Sequence, residues 1–198
     1  MKKVSVGIIF CLVCNFAAYA QSKFSFGPTA GVGSTSISNI PDSKFKLAGS
    51  AGLSLVYSAI EHFGVGMDVK YSFEGAKVES TLGKSELDLN YVRIPLKAIY
   101  FFNNNGNKVR PKIFAGPSFG FLTSAKANDV DVKSQYESFD IGLLLGAGLN
   151  YRIVNKTWFN ADLSYTHGMK DITPNMVLDT DNNQNRNLQL NVGVNFGL

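Results

Sequence analysis

The sequence predicts an all-β fold, an eight-stranded antiparallel up-and-down transmembrane β-barrel, on three observations. Eight segments alternate large apolar residues with small or polar ones, and successive side chains of a strand point to opposite faces. Short and long connections alternate between these segments, as where turns line one rim of a membrane barrel and loops the other. The first twenty residues read as a secretory signal.

In that leader, Lys2 and Lys3 form a charged start, Val4 to Phe16 an apolar middle and Ala18-Tyr19-Ala20 a small-x-small cleavage site. The apolar stretch is short of the roughly 20 residues that a membrane-spanning helix needs. Leu12-Val13 before Cys14 lacks the small residue that precedes a lipid-modified cysteine. Cleavage is expected after Ala20, dividing the chain into a signal peptide, residues 1–20, and a barrel domain, residues 21–198. Cys11 and Cys14 are the only cysteines and leave with the signal. The exported part is therefore expected to have no disulfide, thiol nucleophile or thiolate metal site. The formal charge of +4 falls to +2 without Lys2 and Lys3, and no basic cluster suggests nucleic acid.

The first strand is expected over Lys23 to Gly33, with Phe24, Phe26, Pro28, Ala30 and Val32 on its apolar face. The second runs from about Leu47 to Ala59, with Leu47, Ala51, Leu53, Leu55 and Tyr57 opposite Ser50, Gly52 and Ser54. The third, Phe63 to Glu74, is the clearest: Phe63, Val65, Met67, Val69, Tyr71 and Phe73 oppose Gly64, Gly66, Asp68, Lys70, Ser72 and Glu74. The fourth, Glu86 to Phe102, changes phase. Leu87, Leu89 and Tyr91 share one face, after which Val92, Ile94, Leu96, Ala98 and Tyr100 become the apolar side. A β-bulge shifts phase in this way, so one is expected near Tyr91-Val92.

The fifth strand, Lys108 to Leu122, sets Ile113, Ala115, Pro117, Phe119 and Phe121 against Arg110, Lys112, Gly116, Ser118 and Gly120. The sixth, Ser138 to Arg152, sets Phe139, Ile141, Leu143, Leu145, Ala147, Leu149 and Tyr151 against Asp140, Gly142, Gly146, Gly148 and Asn150. The seventh, Thr157 to Thr166, opposes Phe159, Ala161, Leu163 and Tyr165 to Asn160, Asp162 and Ser164. The eighth, Asn187 to Leu198, alternates Leu188, Leu190, Val192, Val194, Phe196 and Leu198 with Gln189, Asn191, Gly193, Asn195 and Gly197.

Short turns are expected at Ile60-Glu61-His62, Asn103 to Asn107 and Ile153 to Lys156. Longer polar loops fall at about 34–46, 75–85, 123–137 and 167–186. In a bacterial outer membrane the turns and both termini would be periplasmic and the loops extracellular.

Three features turn the apolar face outward rather than inward, as it would be in a soluble barrel. Gly and Ser crowd the polar face and suit a narrow lumen. That face also carries charges of both signs, Asp68, Lys70, Glu74, Arg93, Lys97, Arg110, Lys112, Asp140 and Asp162. They are expected to pair across the lumen as a structural network, because a Lys or Arg facing mid-bilayer would cost about 2–4 kcal/mol. Finally, Tyr57, Phe63, Tyr71, Phe73, Tyr100, Phe121, Phe139, Tyr151, Phe159 and Tyr165 stand at the ends of apolar faces, where aromatic girdles meet headgroups.

Three stretches, Tyr91-Val92-Arg93-Ile94-Pro95-Leu96, Ala115 to Leu122 and Gly142 to Leu149, resemble landmarks of the PorT-like outer-membrane β-barrel family, and their order and spacing match as well. The resemblance covers the whole exported part and implies an eight-stranded barrel of OmpA/OmpX-like size. Arg93 departs from the acidic or neutral residue usual at that point. The family's namesake is linked to protein secretion, which fold alone does not transfer. The last strand also resembles the signal by which the barrel-assembly machinery recognises its substrates, with Phe196 two residues before Leu198.

Catalytic and metal chemistry find little footing. His62 lies in a short turn beside Glu61. His167 shares a strand face with Leu163 and Tyr165, whereas Ser164 and Asp162 point the other way, so a Ser–His pair is precluded. Asp179-Thr180-Asp181-Asn182-Asn183 begins like a calcium loop but lacks its Gly and downstream Glu. Asn155-Lys156-Thr157 is a sequon without meaning in a periplasmic turn. No enzyme, metal or cofactor is expected. The expected role is structural or interactive, with outer-membrane lipid around the barrel and loops that carry Val130, Val132, Tyr136, Met169, Ile172, Met176 and Val177 toward an envelope protein or surface ligand. An accessory part in a secretion or transport assembly is the alternative, followed by a narrow channel. An eight-stranded interior is wide enough only to be filled by side chains.

Overall fold

Each of the eight alternating segments is a strand in the computed structural model, which describes residues 23–38, 43–80, 83–173 and 183–198. The strands are β1 Phe24–Ile37, β2 Lys46–Tyr57, β3 Phe63–Ser80, β4 Gly83–Phe101, β5 Val109–Ala127, β6 Phe139–Val154, β7 Thr157–Gly168 and β8 Asn185–Gly197. Each pairs antiparallel with the next, and β1 pairs with β8 from Ser25↔Gly197 to Ile37↔Asn185, so the sheet closes on itself. Closure leaves no unpaired edge, which is the condition for a sheet to stand in lipid, where no water can satisfy the backbone. Two dipeptide strands, Ser43–Lys44 against β3 and Val130–Asp131 against β5, thicken the loop-side rim together with a 3-10 turn at Lys133–Gln135. The expected signal peptide, with Cys11 and Cys14, lies outside the described residues.

Parity assigns the faces. On β3, Phe63, Val65, Met67, Val69, Tyr71 and Phe73 are exposed while Asp68, Ser72 and Glu74 are buried. The same arrangement runs around the barrel: Leu188, Leu190, Val192 and Phe196 outward on β8, and Asn187, Gln189, Asn191 and Asn195 inward. Apolar outside and charged inside is the reverse of a water-soluble barrel, and it suits a hydrocarbon solvent. Aromatics gather at both ends of the band, as Phe63, Tyr100 and Phe102 in edge-to-face contact near the turns and as Tyr71 with Phe73 and Phe121 with Phe139 near the loops.

A bulge lies beside β4 within a residue of the expected place, but it does not cause the phase change. The alternation of β4 never breaks: Leu87, Leu89, Tyr91, Arg93, Lys97, Ile99 and Phe101 are all buried inside. What changes is the chemistry of the two faces. Between Val92 and Tyr100 the outer face is apolar, whereas beyond Tyr91 it carries Asn90, Asp88 and Glu86 while the inner face turns apolar. β4 is 19 residues long, and a membrane strand needs about 9–11. The remainder projects past the bilayer on the loop side, where water is outside and the core must be inside. The phase change is a water line. A register shift does occur at Asn90/Tyr91, but the extra residue is Thr123 on β5, where Ser124 pairs with Asn90 and Leu122 with Tyr91.

This projection explains why the loops are shorter than expected. Most of 75–85 is strand, because β3 continues to Ser80 and β4 starts at Gly83.

Candidate functional site

The inner faces of the strands bring the expected charges into one stack. Near the loop side Arg93 is central: Nε donates to Glu74 Oε1 at 2.8 Å, and Nη2 lies 2.6 Å from Glu74 Oε2 and 2.8 Å from Asp140 Oδ2. All three residues are buried. Asn185 Nδ2 donates to Asp140 Oδ2 at 3.0 Å and to the Tyr91 hydroxyl at 3.3 Å, and the guanidinium carbon sits 4.6 Å from the Tyr91 ring centroid. Gly120 makes this possible, since a Cβ there would lie 2.6 Å from Arg93 Nη1. Arg93 is thus the hub of the loop-side lumen.

A belt of neutral polar groups comes next. Ser50 donates to Gln189 Oε1 at 2.9 Å, and Asn191 donates through Nδ2 to Ser164 Oγ at 2.9 Å. Lys70 donates to Asn191 Oδ1 at 3.1 Å, so its partner is an amide oxygen rather than a carboxylate. Toward the turns, Lys97 Nζ holds both oxygens of Asp68 at 2.7 and 2.8 Å, and Lys112 Nζ lies 2.9 Å from Asp162 Oδ1. Eight of the nine expected lumen charges, all but Arg110, belong to this stack, and Arg93, Lys97 and Lys112 each face a carboxylate. Cavities of about 30 and 20 Å³ flank Lys70, each with room for about one water.

Arg110 stands apart. It is buried below the stack at the turn-side mouth, where Nε donates to Asn103 O at 3.1 Å and Nη2 to Glu61 O at 2.7 Å. Its guanidinium lies 4.0 Å from the Phe101 ring centroid and 6.0 Å from that of Trp158.

Apolar layers that strand patterning did not anticipate close the stack at both ends. Val56, Ile99, Phe101, Phe114 and Leu144 form a floor on the turn side. Ile37, Ala76, Leu87, Leu89, Tyr91, Leu122, Ala125, Tyr136 and Ile172 form a ceiling on the loop side. Tyr136 and Ile172 were expected on an outward contact surface; they are instead buried in the ceiling, because the projecting strands need a core. Val132 packs against it, while Val130 and Met169 are exposed. Met176 and Val177 lie outside the described residues. Asp171 anchors the segment carrying Ile172: its Oδ1 accepts from the Thr173 N–H at 2.9 Å and the Asn183 N–H at 3.3 Å.

The two histidines sit away from the stack. His62 Nδ1 is 2.9 Å from Phe101 O, and His167 Nδ1 is 3.3 Å from the Tyr165 hydroxyl on the outer face. Ser164 is buried inside, across the wall from His167. Residues 179–182 of the calcium-like stretch are outside the described residues, and Asn183 donates to Thr173 Oγ1 at 2.8 Å. Among the described residues no three His, Cys, Asp or Glu side chains converge as metal ligands.

This arrangement of paired charges between two apolar layers can hold a barrel rigid and shut. A family model described as outer membrane protein beta-barrel domain matches residues 19–174. No curated protein matches the sequence. Among solved structures, OprG from Pseudomonas aeruginosa is similar with a TM-score of 0.60 and 17% identity, over 89% of this chain and 96% of that one. Neisserial surface protein A gives 0.55 and 17% identity, over 88% and 97%. Outer membrane protein W of E. coli gives 0.51 and 13%, over 91% and 100%. At such identities the likeness speaks for the fold.

Proposed function

The chain belongs to the outer membrane protein beta-barrel domain family, and on that premise we propose that it is a non-enzymatic, non-conducting barrel whose loop-side projection is a contact surface for an envelope protein or surface ligand. The observation that carries this reading is the lumen. Its charges are mostly matched and it ends in an apolar layer on each side, which favours a rigid post over a conduit. The three glycine-rich landmarks support the PorT-like branch of the family. A cleavable signal and an even strand number fit termini and short turns in the periplasm, with Val130 and Met169 on the cell surface. Outer-membrane lipid surrounds the apolar band, and the alternating last strand suits the barrel-assembly machinery.

Planar-bilayer recording of folded protein tests the lumen, with no discrete conductance expected; reproducible unitary steps would overturn the reading. Photocrosslinkers at positions 130 and 169 in intact cells test the contact surface, with a discrete adduct expected at one or both and a smear of lipid alone against it. A second reading, an accessory part of a secretion or transport assembly, draws on the cation-lined mouth at the turn side.

A further inference from the structure

We propose that the turn-side mouth is a blind cup that binds an anionic ligand carrying two or more carboxylate or phosphate groups. The open cavity there measures about 700 Å³ and is lined by Lys23, Arg110, Arg152 and Lys156, against one acidic side chain, Glu61. Among the described residues none of the four cations has a carboxylate within ion-pair distance. Three of them bond to backbone carbonyls: Lys23 Nζ donates to Ala59 O at 3.1 Å, Arg152 Nη2 to Gly106 O at 2.6 Å, and Arg110 to Asn103 O and Glu61 O. Carbonyls orient a cation without cancelling its charge. The contrast with the lumen a few residues away, where Arg93, Lys97 and Lys112 face carboxylates, marks the mouth as a place of excess positive charge, four cations against Glu61.

Two further features make it a built site. Arg110 keeps only 4% of its surface exposed, so it is held in the wall rather than extended into water, and the two bonds it makes leave further guanidinium donors. Trp158 is shared by two guanidinium groups, with Arg152 Cζ 5.6 Å and Arg110 Cζ 6.0 Å from its ring centroid. Rigid, stacked guanidinium forks match carboxylate and phosphate oxygens in pairs. The floor of Ile99, Phe101 and Phe114 shuts the cup off from the lumen, so a ligand entering it binds there and does not pass through.

Trp158 is the only tryptophan of the chain and reports on its own site. Folded protein in detergent is titrated with citrate and, separately, with pyrophosphate at constant ionic strength, and the indole emission is followed. A saturable change is expected with at least one of them: citrate alone marks a carboxylate ligand, pyrophosphate alone a phosphate ligand. Arg152→Gln and Lys156→Gln, each checked for wild-type heat-modifiable gel migration, are expected to weaken the affinity about tenfold or more, whereas Lys126→Gln at the opposite rim leaves it unchanged. Absence of a saturable change with both anions, or equal affinity in all three variants, overturns the proposal.

Discussion

Arg93 holds two carboxylates from different strands, Glu74 on β3 and Asp140 on β6, at 2.6 and 2.8 Å. Replacing it with Met strands two buried carboxylates, and breaking such a pair costs roughly 3–5 kcal/mol. Arg93→Met should therefore unfold at clearly lower urea in lipid vesicles, read by Trp158 emission. The triple variant with Glu74→Gln and Asp140→Asn should recover most of the loss; an unchanged midpoint for Arg93→Met alone would contradict the pairing. Room for the guanidinium is as necessary as its charge. Gly120→Val places a Cβ 2.6 Å from Nη1, and overpacking of this kind costs about 1–3 kcal/mol, so it should lower the same midpoint. At this scale, parity along each strand made the lumen residues legible. Their partners were not, because Arg93 and Asp140 stand two strands apart, both in register with Gly120 on β5, and register between strands is not written in the spacing along any one of them.

Among the elements, β5 offers a sharp comparison. Thr123 is the extra residue opposite the Asn90/Tyr91 junction, and Leu122 and Ala125 are both buried on either side of it. Deleting Thr123 removes the bulge without turning any neighbour over, and costs the hydrogen bond from its hydroxyl to Asn90 O. Deleting Ser118 instead slips the strand by one residue, which reverses its faces and turns Lys112 and Arg110 toward the lipid side, at a cost that rises from about 0–1 kcal/mol at the interface, where Arg110 sits, to about 2–4 kcal/mol at mid-bilayer. The Thr123 deletion should still give the heat-modifiable folded band, and the Ser118 deletion should not. Equal folding of both would refute the assigned register. The eight strands themselves were readable from period-two alternation. The phase change on β4 was visible too, but its cause was not: a bulge and an exit from the bilayer leave the same pattern in one strand. Neighbouring strands separate them, since on β3 the apolar outer face also ends, at Phe73 before Lys77, and on β5 at Phe121 before Lys126.

For the molecule as a whole, the two apolar layers and the outer band follow from one rule, that side chains face the solvent they suit. Between the water lines the apolar face looks outward to lipid; on the loop side it looks inward and makes the ceiling of Leu87, Leu89, Tyr91 and Ile172. That ceiling took in Tyr136 and Ile172, which a sequence reading assigned to the surface because loop residues carry no periodicity to give their direction. Without Cys11 and Cys14 the chain has no cysteine, so single cysteines on residues 21–198 can be spin-labelled without altering the background. The direct test is paramagnetic accessibility in vesicles along positions 65, 67, 69 and 71 of β3, with Asn104 in a turn as the aqueous control. Side chains facing lipid give high accessibility to oxygen and low accessibility to a water-soluble nickel complex at all four strand positions, and the opposite is expected at Asn104. Nickel access at 65, 67 and 69 equal to that at 104 would contradict that orientation.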